Sequence, residues 1–444
     1  MEKTTLVDTY HHLAHLTNLL FAAQQGRGGD LPALYHPQFN AENGTQITPY
    51  TVETLLGSIP YAEAYHTILQ EVIMTCQTLI HHHDALGDPH GVRFLHACIE
   101  ACQSNDRDTL ETVRLQCYGN TDSTISYCPS RGPVESYNDL VLHRKKIFEC
   151  SLMTIDRPTT SFIQNAIDRH LPDFVRNGDY FSNHPTAGVL PPQVTTLVGE
   201  LTLTGGDFVQ LQPSGRSRPT APEMLMRAGS IKQIFLNQLQ TKTQTLYVPL
   251  AQKLFQTDRH VVLELFATMP RLHVVLHEHG HTIGKLPDYP TRTGRRYTMI
   301  EEIRADFVAI ALSLYLEKNN HLPSWTSRAL IGVMLVCELF MRSRFDQTKT
   351  TTRERESYSR NAPALVRVFS EIFLIETHAV VLKFFSLDEL HALFSPRFRE
   401  LQQLIANGQE QDMEAFLVGL EQQRREEQTE IQWIYSKHVL HSML

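Results

Sequence analysis

The sequence predicts a mainly α protein with a smaller β-containing lobe. Three observations carry this reading. Apolar residues recur at helical spacing near the start, as in Tyr61, Tyr65, Ile68, Leu69, Val72 and Ile73, which share one stripe. From Cys117 the texture changes to short runs rich in Thr, Val and Leu, separated by turn residues. Long helical segments then return and persist to the end. A chain of 444 residues is too long for one small core and points to two or three lobes.

In order along the chain, residues 1–115 read as an N-terminal helical region, punctuated at "GRGGDLP" and "LGDPHG". Residues 116–215 read as a β-containing lobe. Its strand signals are "YGNTDSTISYC", "FECSLMTI" and "QVTTLVGELTLTGGDFVQLQ", with the helical "SFIQNAIDRHLPDFV" between them. The stretch "GGDFVQLQPSGRSRPTAPEM" is rich in Gly, Pro and Ser and reads as a loop or linker. Residues 216–444 read as helical again, including "GSIKQIFLNQLQTKTQTLY", the segment before His277 and "SLDELHALFSPRFRELQQLIA". "FVAIALSLYL" (Phe307–Leu316) and "LIGVMLVCELFM" (Leu330–Met341) are shorter than the roughly 20 residues a bilayer requires, so they read as buried core helices. A site is expected in a cleft between lobes.

Composition narrows the function classes. Net charge is −8 with no long Lys/Arg block, which argues against a nucleic-acid footprint and a basic membrane-surface patch. Seven cysteines, an odd number without a CxxC pair, make a disulfide framework improbable and favour a reducing cytoplasm. The start, "MEKTTLVDTYHHLAHLTNLLFAAQQG", lacks the basic-then-apolar order of a secretory signal. The expectation is a soluble cytoplasmic protein. Nothing fixes its oligomeric state, and a monomer is favoured.

The chemistry concentrates in "LHEHGHTIGKL" (Leu276–Leu286), where His277, Glu278 and His281 fit HExxH. On a helix, positions four apart lie one turn above each other, so two imidazoles reach one ion. Glu278, offset around the helix, is left to serve as a base toward water. Because the chain holds 23 histidines, context must separate a zinc site from a surface histidine cluster. A catalytic zinc takes three protein ligands, and "MIEEIRADFVAIAL" supplies Glu301 and Glu302 some twenty residues on. Asp306 lies one turn after Glu302, where it can accept the second N–H of a ligating histidine. That relation favours Glu302 over Glu301 as third ligand. His273, one turn before His277, is too far along a straight row to share the ion and reads as an outer or cleft-wall residue. His279 should point elsewhere. "YHHLAHL" and "LIHHHDALGDPH" bring no acidic partner at useful spacing and read as solvated helix faces.

These residues resemble a known family. "HEHGHTIGKL" followed by "EEIRADFVAIAL" is similar to the zinc helix and second acidic motif of the dipeptidyl peptidase III metallopeptidases. "GPVESYNDLVLHRKKIFECSLMTI" (Gly132–Ile155) resembles that family's Gly-Pro…Glu-Ser-Tyr-x-Asp…Phe-Glu segment. "MRAGSIKQIFLNQLQTKTQTLYVPLAQKLF" and the tail through Leu417 follow its layout, so the resemblance runs in order from Gly132 to Leu417. It implies a two-lobed fold with one zinc per chain in the cleft, held by His277, His281 and Glu302. Glu278 is then the base, Asp306, Glu301 and His273 support the ligands, and Glu135 and Tyr137 hold a substrate's amino terminus.

Two departures stand out. Tyr358, in "RERESYSRNAPALVRVFSE", falls where the family's peptidases carry a transition-state histidine. The asparagines that grip the peptide backbone are missing from "LQPSGRSRPTAPEM". A phenol can hydrogen-bond a developing oxyanion, so Tyr358 is either the candidate donor or a residue that simply lines the cleft. The leading expectation is zinc-dependent hydrolysis of amide bonds in short peptides. The alternative keeps the zinc scaffold for hydrolysis, isomerisation or elimination on a specialised small molecule. A non-catalytic binder has no use for Glu278 beside the metal.

Overall fold

The computed structural model describes residues 3–24, 34–35, 51–54, 57–103, 126–132, 137–138, 145–146, 149–177, 181, 190–206, 213–218, 225–227, 229–255, 259–286, 288–347, 373–376, 379–382 and 385–419. Helix predominates, with a smaller mixed sheet, as the periodicity predicts. The chain divides into two compact units. One comprises Met1–Phe162, Pro192–Pro219 and Met224–Gln238, the other Ile163–Pro191, Thr220–Glu223 and Leu239–Leu444.

The first unit joins helices α1 (Lys3–Gln24), α2 (His66–Ala85) and α3 (Pro89–Gln103) to a five-stranded sheet. Its strands are β1 (Tyr127–Arg131), β2 (Glu149–Ile155), β3 (Val194–Gly206), β4 (Gly215–Arg218) and β5 (Ser230–Phe235), in the order β1-β2-β3-β5-β4. Only the β3–β5 pair is parallel. Leu6, Tyr10 and Leu13 of α1 share one buried cluster with Leu69 and Val72 of α2 and with Leu152 and Leu203 of the sheet. Gly205 allows a close approach of α1 to the sheet, because a Cβ there would lie 3.0 Å from the Ala14 backbone. The N-terminal helices therefore share a core with the strands and fall in the same compact unit.

Two local expectations are corrected. Ser230–Phe235 is a strand, not the start of a helix, and helix begins only at Leu236. All six strand residues are buried, so periodicity could not separate a buried strand from a buried helix. The stretch read as a loop contributes β4, which pairs antiparallel with β5.

The second unit is helical where it carries the candidate site. It contains α4 (Leu171–Asn177), α5 (Arg259–Gly280), α6 (Tyr297–Lys318), α7 (Thr326–Gln347) and α8 (Leu387–Asn407). Helix α5 packs against both α6 and α7. The apolar run Phe307–Leu316 is buried almost throughout, as expected of a core helix. Helix α8 opens with a capping box in which the Ser386 side chain accepts from the Glu389 N–H and Glu389 accepts from the Ser386 N–H. No helix among the described residues is long and apolar enough to cross a membrane.

Candidate metal centre

Helix α5 places His277 and His281 one turn apart, with ring centroids 4.7 Å apart and planes nearly perpendicular. The helix ends at Gly280, and the chain turns through Gly284, whose φ of +68° suits glycine. His281 N still donates to His277 O at 3.2 Å, so the second histidine keeps its helical register. Gly280 sets the distance to α6. A Cβ there would lie 2.3 Å from Ala305 O and 2.5 Å from Ala305 Cα. Only glycine lets the two backbones meet so closely, and the contact brings Glu301, Glu302 and Asp306 beside the histidines.

Three donor atoms converge. His277 Nε2 and His281 Nε2 are 3.1 Å apart, and Glu302 Oε2 lies 3.4 Å from the first and 3.9 Å from the second. Zinc bonds of about 2.0–2.2 Å in tetrahedral geometry imply ligand separations of roughly 3.3–3.5 Å, so the triangle is the right size for one ion. The other nitrogens point away. His277 Nδ1 donates to Asp306 Oδ1 at 2.8 Å, and His281 Nδ1 donates to Glu301 Oε1 at 3.1 Å. A carboxylate only accepts, so each Nδ1 carries the hydrogen, and a neutral ring then presents its lone pair at Nε2. Two lone pairs facing each other at 3.1 Å repel unless a proton or cation lies between them. His277, His281 and Glu302, each partly exposed, could thus hold one metal ion, and the size of the triangle suits zinc.

His273, His277 and Asp306 form a second cluster. Its His277–Asp306 separation of 2.8 Å is that of a hydrogen bond, shorter than the spacing of two ligands on one ion. His273 Nε2 lies 3.4 Å from the same Asp306 oxygen. Asp306 thus receives two imidazoles, the arrangement that orients ligating histidines at zinc sites.

Glu301 is held from several sides. Its Oε1 accepts from Lys285 Nζ at 3.1 Å and Arg304 Nη2 at 2.8 Å, and its Oε2 accepts from Arg304 Nε at 2.8 Å. Three carboxylates, Glu301, Glu302 and Asp306, lie around the two histidines, and the two cations Lys285 and Arg304 both pair with Glu301. Glu278, buried beside His277 in sequence, adds a further carboxylate, so the region suits a divalent cation. Burial opposes charge on His277, but the Asp306 and Glu302 carboxylates outweigh it and raise its pKa well above the ordinary imidazole value. Burial likewise works against ionised Glu301, and Arg304 and Lys285 overcome it to hold the carboxyl well below the usual range.

His279 turns away from the donor triangle. It is buried, with Nδ1 2.7 Å from Val275 O and Nε2 2.8 Å from Asp168 Oδ1. Glu135 and Tyr358 lie outside the described residues. Tyr137 lies in a short strand where it pairs with Lys146. Sequence reasoning missed Arg304, although its position three residues after Glu301 on a helix was a usable signal.

No protein-family model and no curated protein matches the sequence. Solved structures do resemble the fold. Dipeptidyl-peptidase III from Corallococcus sp. strain EGB superposes with a TM-score of 0.62 at 18% identity, over 87% of this chain and 72% of that one. DPP III from Caldithrix abyssi gives a TM-score of 0.70 at 15% identity, over 95% of this chain and 90% of that one. At such identities the likeness is one of fold: this chain has a fold similar to that of these two dipeptidyl-peptidase III structures.

Proposed function

We propose that this chain is a zinc-dependent hydrolase that cleaves amide bonds of short peptides, as the structures of similar fold are peptidases by name. The observation that carries the proposal is the convergence of His277 Nε2, His281 Nε2 and Glu302 Oε2 while carboxylates hold both Nδ1 atoms. Zinc, when bound, lowers the pKa of water toward neutrality and polarises the scissile carbonyl. Glu278 is the general base. It takes a proton from water as the oxygen–carbon bond forms, and returns that proton to the leaving nitrogen as the carbon–nitrogen bond breaks. Asp306 and Glu301 keep the hydrogens of both histidines on Nδ1, and His273 steadies Asp306. Tyr358 donates a hydrogen bond to the developing oxyanion. Glu135 and Tyr137 receive the substrate's amino terminus, since a carboxylate pairs with an ammonium group.

In this reading residues 216–444 carry the hydrolytic machinery and residues 116–215 carry the amine-recognition pair. The test is incubation of the purified chain with a pool of short peptides, free or amino-blocked, with and without a chelator. Chelator-sensitive cleavage that prefers free amino termini supports the proposal. Stoichiometric zinc with every peptide intact would instead favour the specialised small-molecule reading.

A further inference from the structure

The two histidines of the proposed centre rest on carboxylate arms that are built differently. Asp306 accepts from the imidazoles of His277 and His273. Glu301 sits in a cationic clamp. Its Oε1 faces His281 Nδ1, Lys285 Nζ and Arg304 Nη2, and its Oε2 faces Arg304 Nε. A fork of two parallel N–H bonds fixes the plane of a carboxylate, which a single point charge cannot do.

The same guanidinium reaches the backbone that carries His281. Arg304 Nη2 donates to Gly280 O at 2.5 Å and Nη1 donates to Ile283 O at 2.7 Å. Gly280 precedes His281 directly and Ile283 follows two residues later. Arg304, fully buried, therefore fixes both the acceptor of the His281 hydrogen bond and the turn from which His281 projects. Lys285, also buried, adds a second grip on Oε1 while its ammonium lies 5.2 Å from the Tyr297 ring centroid.

We infer that Arg304, assisted by Lys285, is a positioning residue for the metal: acting through Glu301, it holds the His281 arm with Nε2 aimed at the ion. The inference rests on the metal reading above. It differs from plain helix capping, for which the protein supplies its own control. Arg292 also closes a helix end, donating to Ile405 O at 2.5 Å, Gly408 O at 2.6 Å and Asp288 Oδ2 at 2.6 Å, all of them outside the metal centre.

The experiment is a zinc titration of the full chain, stripped by chelator, against a competing chromophoric chelator. Four variants accompany the natural sequence: Arg304→Lys, Glu301→Gln, the two combined, and Arg292→Lys. Arg304→Lys and Glu301→Gln should each weaken zinc by about 10–100-fold. Because one acts through the other, the double variant should fall within about threefold of the weaker single. Arg292→Lys should lower the melting temperature and leave zinc affinity within about twofold of the natural chain. The cobalt-substituted protein should show altered absorption bands with Arg304→Lys and unaltered ones with Arg292→Lys. If Arg304→Lys does not fold, Lys285→Met enters the same cycle with the same expectation of non-additivity. Natural affinity in Arg304→Lys, or losses that multiply in the double variant, would overturn the inference while leaving the metal reading intact. Failure of the natural chain to bind zinc would overturn the metal reading itself and this inference with it.

Discussion

Replacing Glu302 by glutamine strips the negative charge from one of three converging donors while keeping the side chain's size. Its Oε2 lies 3.4 Å from His277 Nε2 and 3.9 Å from His281 Nε2, whereas neighbouring Glu301 spends its oxygens on His281 Nδ1, Lys285 and Arg304. Apparent zinc binding of about 10–16 kcal/mol shared over the four ligands of a structural site is roughly 2.5–4 kcal/mol per ligand. At about 1.4 kcal/mol per decade, losing Glu302 should weaken zinc by two to three decades. Glu301→Gln removes a supporting acceptor and should cost only one to two decades. Competition titration with a chromophoric chelator separates these ranges, and metal content after gel filtration gives an independent check. Natural affinity in Glu302→Gln together with a thousandfold loss in Glu301→Gln would refute the assignment of the third ligand.

Four further outcomes follow from the same geometry. Glu278→Gln should retain zinc and lose nearly all turnover, because the amide matches the carboxylate in size but cannot take a proton; equal turnover in natural and variant chains would end the hydrolytic mechanism. Asp306→Asn should weaken zinc by about 10–100-fold with the circular dichroism spectrum unchanged, and a silent substitution would show that its bond to His277 does not support the ligand. Gly280→Ala should destabilise the second unit by about 1–3 kcal/mol or more, since its Cβ would lie 2.3 Å from Ala305 O; an unchanged denaturation midpoint would contradict that contact. Burial opposes ionised Asp306 and Glu301, but His273 and His277 around the first, and Arg304 and Lys285 around the second, depress both folded-state values. Depressed values mean that the unfolded chain takes up these protons first, so their stabilisation is present above the unfolded values near pH 4 and lost as pH falls toward the folded ones. The melting temperature of metal-free protein should therefore drop below about pH 5, less steeply in Asp306→Asn, and a flat profile would refute the ionised state of these groups.

What the sequence determined by itself is local. Helical geometry places residues four apart on one face, so "HEHGH" brings His277 and His281 together before any tertiary contact is known. The helix over "SLDELHALFSPRFRELQQLIA" and the long apolar run of α6 were legible for the same reason: their rules act within one or two turns. The division of labour between Glu301 and Glu302 was only half legible, because adjacent residues on a helix point about 100° apart and the direction of each depends on how α6 lies against α5. Tertiary structure decided those directions: beside the close Gly280–Ala305 approach, Glu302 faces both Nε2 atoms and Glu301 faces His281 Nδ1. The strand at Ser230–Phe235 was lost to the same kind of limit, since burial of all six side chains erases the alternation that marks a strand. Arg304 shows it most clearly. Its helical offset from Glu301 is written in the chain, but its bonds to Gly280 and Ile283 span more than twenty positions and exist only where the end of α5 meets α6.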